Sequence, residues 1–357
     1  MATLTAETLN GNFLVSKMSI KQRKKDHVDL TTSGRVDYQQ TTGFERYRFV
    51  HNALPEVNVE DVSTKATLLG RSFAFPLFIS SMTGGYTDAG AVNAIIAEFC
   101  EKYDLPFGVG SQRVLFDHPD ARSTFAVVRE RAPGAFIAAN IGGAQLIGGL
   151  SREKIGILVD SIDADAIIVH LNPLQELIQP EGDRAFKGIR QGITQLVADC
   201  GVPVIVKETG AGISGDVAES LLEAGVDVID VAGAGGTSWA KVENERESNR
   251  KPQHLFNDWG IPTAECLLEV AKLKKRYDFN LIASGGIRSS HDIAKSLCLG
   301  ARFAAAAQPV IRAVVKGGME ELESLYRNWQ HQLRMILTLL GCKHLNELES
   351  SHLELKR

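Results

Sequence analysis

Eight short, almost wholly apolar runs recur through the middle of the chain, and they restrict its fold more than any other feature. They are Pro76 to Ser81, Phe107 to Gly110, Ala135 to Ala139, Asp165 to His170, Pro203 to Lys207, Asp227 to Val231, Asn280 to Ser284 and Arg302 to Ala306. Most are rich in β-branched residues and show no polar alternation, which is the pattern of a strand buried on both faces. Between them lie stretches of helical period such as Asp88 to Tyr103, Ser214 to Glu223, Thr263 to Lys275 and Ser290 to Leu299, several opened by a Ser, Thr or Asp suited to capping. Alternating strands and helices require a parallel sheet, and a count of eight favours closure over a doubly wound sheet. The expected fold is therefore α/β, a (β/α)8 barrel of the TIM type over residues 76–340, with an N-terminal extension over 1–75 and a C-terminal tail over 341–357.

Two longer gaps, 171–202 and 232–279, predict extended loops after strands four and six, where an active site would be built. Residues 21–75, rich in Lys, Arg, Thr and Gly, are expected to wrap the barrel surface. From Met319 to Leu340, Leu322, Tyr326, Trp329, Leu333 and Leu337 recur at helical spacing and predict a helix that closes the barrel or meets another subunit.

Composition narrows the function. A length of 357 residues still fits one α/β barrel, and 44% apolar with 23% charged residues is an ordinary globular mixture. The formal charge of −4 leaves no global basic footprint, so nucleic acid is not an expected partner and any anion site must be assembled locally. Five scattered cysteines without a Cys-x-x-Cys pair predict neither a disulfide framework nor a zinc knuckle, and point to a reducing compartment. Residues 1–20 lack the pattern of a cleaved leader, and no apolar run approaches the roughly 20 residues that span a bilayer. A cytoplasmic protein without a membrane partner is expected.

In such a barrel the active site lies at the carboxyl ends of the strands. There the sequence offers Ser81-Met82-Thr83-Gly84-Gly85, Gly110-Ser111-Gln112-Arg113 and Asn140-Ile141-Gly142-Gly143, small residues interleaved with amides and hydroxyls. That mixture suits a flat polar ligand approached closely by backbone. After strands six and seven come Gly233-Ala234-Gly235-Gly236-Thr237 and Ser284-Gly285-Gly286-Ile287-Arg288. Together with the Ala307-Gln308 turn they resemble a phosphate cradle made of backbone N–H groups and a helix N-terminus.

Three further residues invite chemistry. Lys207 ends strand five as a Schiff-base lysine, a cation against a reduced flavin, or one half of a salt bridge. The flavin contact is preferred because the phosphate loops are already accounted for. His170 ends strand four, either exchanging protons or resting neutral in a hydrogen bond. Glu176, in the loop that follows, is a Mg²⁺ ligand or a solvated acid. The cluster Arg23-Lys24-Lys25-Asp26-His27 reads on its own as a solvated basic tail.

Taken in order, RKKDH at 23–27, SSMTGG at 80–85, GSQR at 110–113, ANIGG, HLNPLQE with QPEGD, VKETG, GGTSW at 235–239 and SGGIR resemble the FMN-dependent type 2 isopentenyl-diphosphate isomerases over about residues 21–340. The resemblance implies FMN, active in its reduced form and reduced by NADPH, held by Ser81, Met82, Thr83, Ser111, Asn140, Lys207 and Thr237. Its phosphate is implied on Gly285, Gly286, Ile287, Ala307 and Gln308. It implies isopentenyl or dimethylallyl diphosphate on Arg23, Lys24, Ser111, Gln112, Arg113 and Gln175, Mg²⁺ on Glu176, catalytic roles for Gln175, His170 and Lys207, and a homotetramer or homo-octamer. The basic cluster thereby becomes part of a lid. Val231-Ala232-Gly233 stands where the family often has a hydroxyl, and the end of strand eight, Ala304 to Ala307 followed by Gln308-Pro309, lacks a basic residue that some relatives carry. Two other readings use the same barrel: an FMN-dependent 2-hydroxy-acid oxidoreductase with a His-Arg pair, and a catalytically silent flavin-binding barrel.

Overall fold

The structure, a computed structural model, describes residues 26–246 and 253–356. Its centre is a closed parallel barrel of eight strands. In chain order these are β1 (Leu77–Ile79), β2 (Phe107–Gly108), β3 (Ile137–Gly142), β4 (Ala166–Leu171), β5 (Val204–Glu208), β6 (Val228–Asp230), β7 (Asn280–Ala283) and β8 (Phe303–Ala306). Each expected run overlaps one, the third running three residues and the fourth and fifth one residue past the expected end, because residues apolar on both faces are covered by the barrel interior on one side and by helices on the other. Phe78, Ala138, Ile168, Ile205, Ile282, Phe303 and Ala305 fill the interior. Leu77, Ile79, Ile137, Ile167, Val169, Val204 and Val206 pack outward with the helices. The period-2 alternation of a strand sets this division.

The outer helices are α1 (Thr87–Tyr103), α2 (Ser123–Arg131), α3 (Arg152–Asp160), α4 (Pro173–Ile178), α5 (Ile189–Asp199), α6 (Gly215–Glu223), α7 (Trp239–Arg246), α8 (Thr263–Ala271), α9 (Ser290–Cys298) and α10 (Gln308–Leu340). Ser214 caps α6 by accepting the Val217 N–H, and Ser289 caps α9 by accepting that of Asp292. The C-terminal helix begins eleven residues before the expected Met319, with a break in helical geometry at Gly317 and Gly318. Beyond that break its apolar stripe closes the barrel: Tyr326 packs edge-on against Phe75 and Phe99 at 5.5 and 5.6 Å.

The N-terminal extension does more than wrap the surface. Residues Ala66–Leu68 and Arg71–Phe73 form an antiparallel hairpin across Leu69-Gly70, both at positive φ as a tight two-residue turn demands. Leu68 and Phe73 join the interior cluster, with Phe73 edge-on to Phe136 at 6.0 Å and to Phe303 at 5.7 Å. The hairpin thus stoppers the end of the barrel opposite the strand carboxyl ends. Residues of the tail also return: Leu353–Leu355 pair antiparallel with Tyr47–Phe49. All five cysteines are free thiols. Among the described residues no helix is long and apolar enough to cross a membrane.

Candidate active site

A cavity of about 560 Å³ opens at the carboxyl ends of the strands. On its floor the ladder register sets His170 of β4 beside Lys207 of β5, and Lys207 beside Asp230 of β6. Asn140 in β3 donates to Ser81 Oγ at 2.7 Å, which leaves its carbonyl oxygen facing His170 Nδ1 at 2.8 Å. Nδ1 must therefore carry the proton, and Nε2 is the free base. Protein surrounds the ring although part of it lines the cavity; burial first, and the Lys207 charge second, push its pKa down to about 3. His170 is a neutral imidazole across the whole neutral range. Lys207 Nζ donates to the Glu208 carbonyl, while the Glu208 carboxylate turns away to accept the N–H groups of Thr209 and Gly210 at 2.6 and 2.5 Å. Burial raises the pKa of Asp230 against the lowering effects of Lys207 and of the Ser284 hydroxyl, 2.6 Å from its Oδ1.

The long loop after β4 supplies one wall. Pro173 at the first turn of α4 presets the helix that carries Gln175 and Glu176. Asn172 Nδ2 reaches Gln175 Oε1 at 3.2 Å and Glu176 Oε1 at 3.0 Å, and the Asp183 N–H meets Glu176 Oε2 at 2.6 Å. Gln175 Nε2 donates to Glu243 Oε1 at 2.8 Å. Glu243, on α7 in the second long loop, is 2% exposed and collects Arg246 Nε at 2.9 Å and, off the hydrogen-bond axis, His27 Nε2 at 3.0 Å. Burial alone would raise the Glu243 pKa, but His27, Gln175 and Arg246 together hold it below the usual carboxylate value. His27 also stands edge-on to Trp239 at 5.0 Å, and both line the cavity. Glu243 carries no sequence signal: it sits in a polar helix, with neither glycine nor a strand end to mark it.

At the other side lie the glycine turns. Gly285 (φ +94°) packs so closely on Gly233 that a Cβ would fall on the Gly233 carbonyl, and a Cβ on Gly236 would come within 2.6 Å of the Gly286 nitrogen. Side chains are excluded, leaving a backbone-lined recess. The N-terminus of α10 faces the same recess with Ala307 and Gln308. Arg288, which closes the second glycine motif but was given no role of its own from the sequence, reaches it as well. The recess, the row of Ser81, Thr83, Ser111, Asn140 and Lys207, and the cavity volume fit an elongated cofactor that has a polar ring at one end and a phosphate at the other.

Of the expected residues, Ser81, Met82, Thr83, Ser111, Arg113, His170, Gln175, Glu176, Lys207, Thr237, Gly285, Gly286, Ile287, Ala307 and Gln308 all line this one cavity. Asn140 lies just behind the wall. Gln112 goes elsewhere. It is fully buried, donating to Leu158 O at 3.1 Å and Ser161 Oγ at 2.8 Å and accepting the Asn140 N–H at 2.9 Å, so its side chain ties β3 to α3. Arg23 and Lys24 lie outside the described residues. Among the described residues no three His, Cys, Asp or Glu side chains cluster to cage a metal. Glu176 fits the other mode of Mg²⁺ binding, one carboxylate shared with substrate phosphate.

These features define a barrel built to hold a phosphorylated cofactor, and the comparisons place it among FMN-dependent enzymes. Residues 175–355 match the family model described as FMN-dependent dehydrogenase. Solved structures of the same fold include flavocytochrome b2 (TM-score 0.68, 18% identity, covering 93% of this chain and 83% of that one). The (S)-mandelate dehydrogenase of Pseudomonas putida is another (TM-score 0.66, 14% identity, 93% and 99%). At such identities the likeness concerns the fold alone. Much nearer in sequence are the isopentenyl-diphosphate delta-isomerases of Chlorobium limicola, 46% identical over 94% of this chain and 96% of the relative, and of Nostoc sp., 44% identical over 93% and 95%. The chain belongs to the isopentenyl-diphosphate delta-isomerase family.

Proposed function

We propose that the chain interconverts isopentenyl and dimethylallyl diphosphate, using reduced FMN with NADPH as reductant and Mg²⁺ on the diphosphate. The reduced flavin, when bound, supplies the acid and base that an unactivated alkene requires. Ser81, Met82, Thr83, Ser111, Asn140 and Thr237 would hold it, with Gly285, Gly286, Ile287, Ala307 and Gln308 around its phosphate. Lys207, on the cavity floor, would stabilise the negative charge of the reduced ring. Arg113, Ser111 and the Arg23-Lys24 segment would hold the substrate diphosphate, with Glu176 on Mg²⁺. Fixing the charged end far from the reacting carbons turns binding energy into orientation. Gln175, its amide aligned by the buried Glu243 carboxylate, orients the hydrocarbon end.

The observation that favours this reading over dehydrogenation of a 2-hydroxy acid is the 44–46% identity with isopentenyl-diphosphate delta-isomerases along nearly the whole chain, and the environment of His170 is consistent with it. Removing hydride from a hydroxy acid also requires a base for the hydroxyl proton, and an imidazole held near a pKa of 3 is a poor one at neutral pH. We assign His170 to positioning: it keeps Asn140 aligned. The expected consequence is a split in kinetics. Gln175→Ala lowers kcat on the order of 10²-fold with little change in KM, whereas Arg113→Ala raises KM for isopentenyl diphosphate. A raised KM and unaltered kcat in Gln175→Ala would refute its assigned role.

A further inference from the structure

The donors around the glycine recess are already organised by a residue from outside the barrel. Of the described Lys and Arg residues lining the cavity (Arg113, Lys207 and Arg288), only Arg288 sits on the loop that carries Gly285 and Gly286. Its Nη2 lies 3.0 Å from Asp37 Oδ2 and donates to Gln308 Oε1 at 3.2 Å, while its Nη1 donates to Gly235 O at 3.3 Å. The other oxygen of the same carboxylate, Asp37 Oδ1, accepts Gln308 Nε2 at 2.7 Å. One carboxylate from the N-terminal extension thus grips both side chains that face the recess from β7 and α10.

The backbone around Asp37 is pinned to the same rim. Lys241 Nζ donates to the Asp37 carbonyl at 2.6 Å, Tyr38 N–H to Gly236 O at 2.9 Å, and Ser238 N–H to Val36 O at 2.8 Å. Asp37 is therefore held in place independently of its carboxylate contacts. Arg288 is a long side chain, 40% exposed, so it needs a fixed partner to present one geometry. Gln308 is constrained further by Thr31 O at 3.0 Å and Thr237 Oγ1 at 3.2 Å.

We infer that Asp37 is a positioning residue of the cofactor-phosphate site: its carboxylate, wedged between Arg288 and Gln308, holds the Arg288 guanidinium at the recess and ties Gln308, whose amide N–H groups go to Asp37, Thr31 and Thr237, into the rim. The inference rests on the FMN reading above. It has a consequence that a general structural role lacks. Only a ligand bearing a phosphate profits from an oriented Arg288, so loss of Asp37 discriminates between FMN and riboflavin, which share the ring and differ at the phosphate.

The test is titration of full-length apoprotein with each flavin, following flavin fluorescence. Asp37→Asn keeps the shape and removes the charge. It is expected to raise the Kd for FMN about tenfold, the scale of one charge-assisted hydrogen bond, and to leave the Kd for riboflavin within about twofold. In an Arg288→Gln background the same substitution should add little, because Asp37 acts through that side chain. If Asp37→Asn is not recovered folded, Arg288→Gln alone carries the test and must shift FMN without shifting riboflavin. Equal weakening of both flavins, additive effects in the double variant, or tighter FMN in Asp37→Asn each overturns the inference. Failure of the wild-type apoprotein to bind FMN would instead strike the cofactor reading itself.

Discussion

Replacing His170 by Gln should remove a specific component of the acid sensitivity of this fold. In the unfolded chain the imidazole takes a proton as pH falls through 6.5, whereas in the native barrel burial and Lys207 delay protonation to about 3. Between those values the unfolded state binds more protons, so stability falls as pH falls; above 6.5 the group contributes no slope. For one proton the slope is about 1.4 kcal/mol per pH unit, which amounts to about 2 kcal/mol between pH 7 and pH 5. The assay is urea unfolding of the two apoproteins at pH 7, 6 and 5, followed by tryptophan fluorescence. Carboxylates titrate in both proteins, so the difference between them isolates residue 170. His170→Gln, with an amide that can still donate to Asn140, should be the less acid-sensitive by about that amount. Parallel pH profiles would show that His170 titrates normally in the native state, and would reopen the case for a proton-transfer role.

Two further perturbations probe the scaffold. Gly285→Ala introduces a Cβ on the Gly233 carbonyl at a φ of +94°, so FMN affinity should fall more than about tenfold with the barrel still folded by circular dichroism. Phe73→Ala empties the stopper of the barrel and should cost about 3–5 kcal/mol in denaturant unfolding, with the flavin Kd unchanged because the cavity lies at the opposite end.

The barrel was legible because each strand is apolar on both faces and the glycine turns stand at strand ends, where backbone geometry forces the residue type. What escaped was whatever depends on contacts distant in sequence. Leu353–Leu355 pairs with Tyr47–Phe49 across some three hundred residues, a partnership no local pattern announces. Leu68 and Phe73 sit in strands of three residues, too short for an alternation to be read, yet they plug the closed end of the barrel. Gln112 fell within the correct motif and was expected to face substrate, but its amide satisfies β3 and α3. Direction along a loop is set by packing. Glu243 and Asp37 are ordinary acids in sequence, and only the fold brings one to Gln175 and the other to Arg288.

The most direct test of the central claim is isopentenyl diphosphate turnover at controlled flavin redox state, with Mg²⁺ and FMN present and the products resolved. Reduced holoenzyme should convert isopentenyl to dimethylallyl diphosphate over many turnovers without consuming further reductant, and oxidised holoenzyme should be inactive. Equal rates without flavin or with oxidised flavin, or flavin reduction that proceeds stoichiometrically with a 2-hydroxy acid, would contradict it.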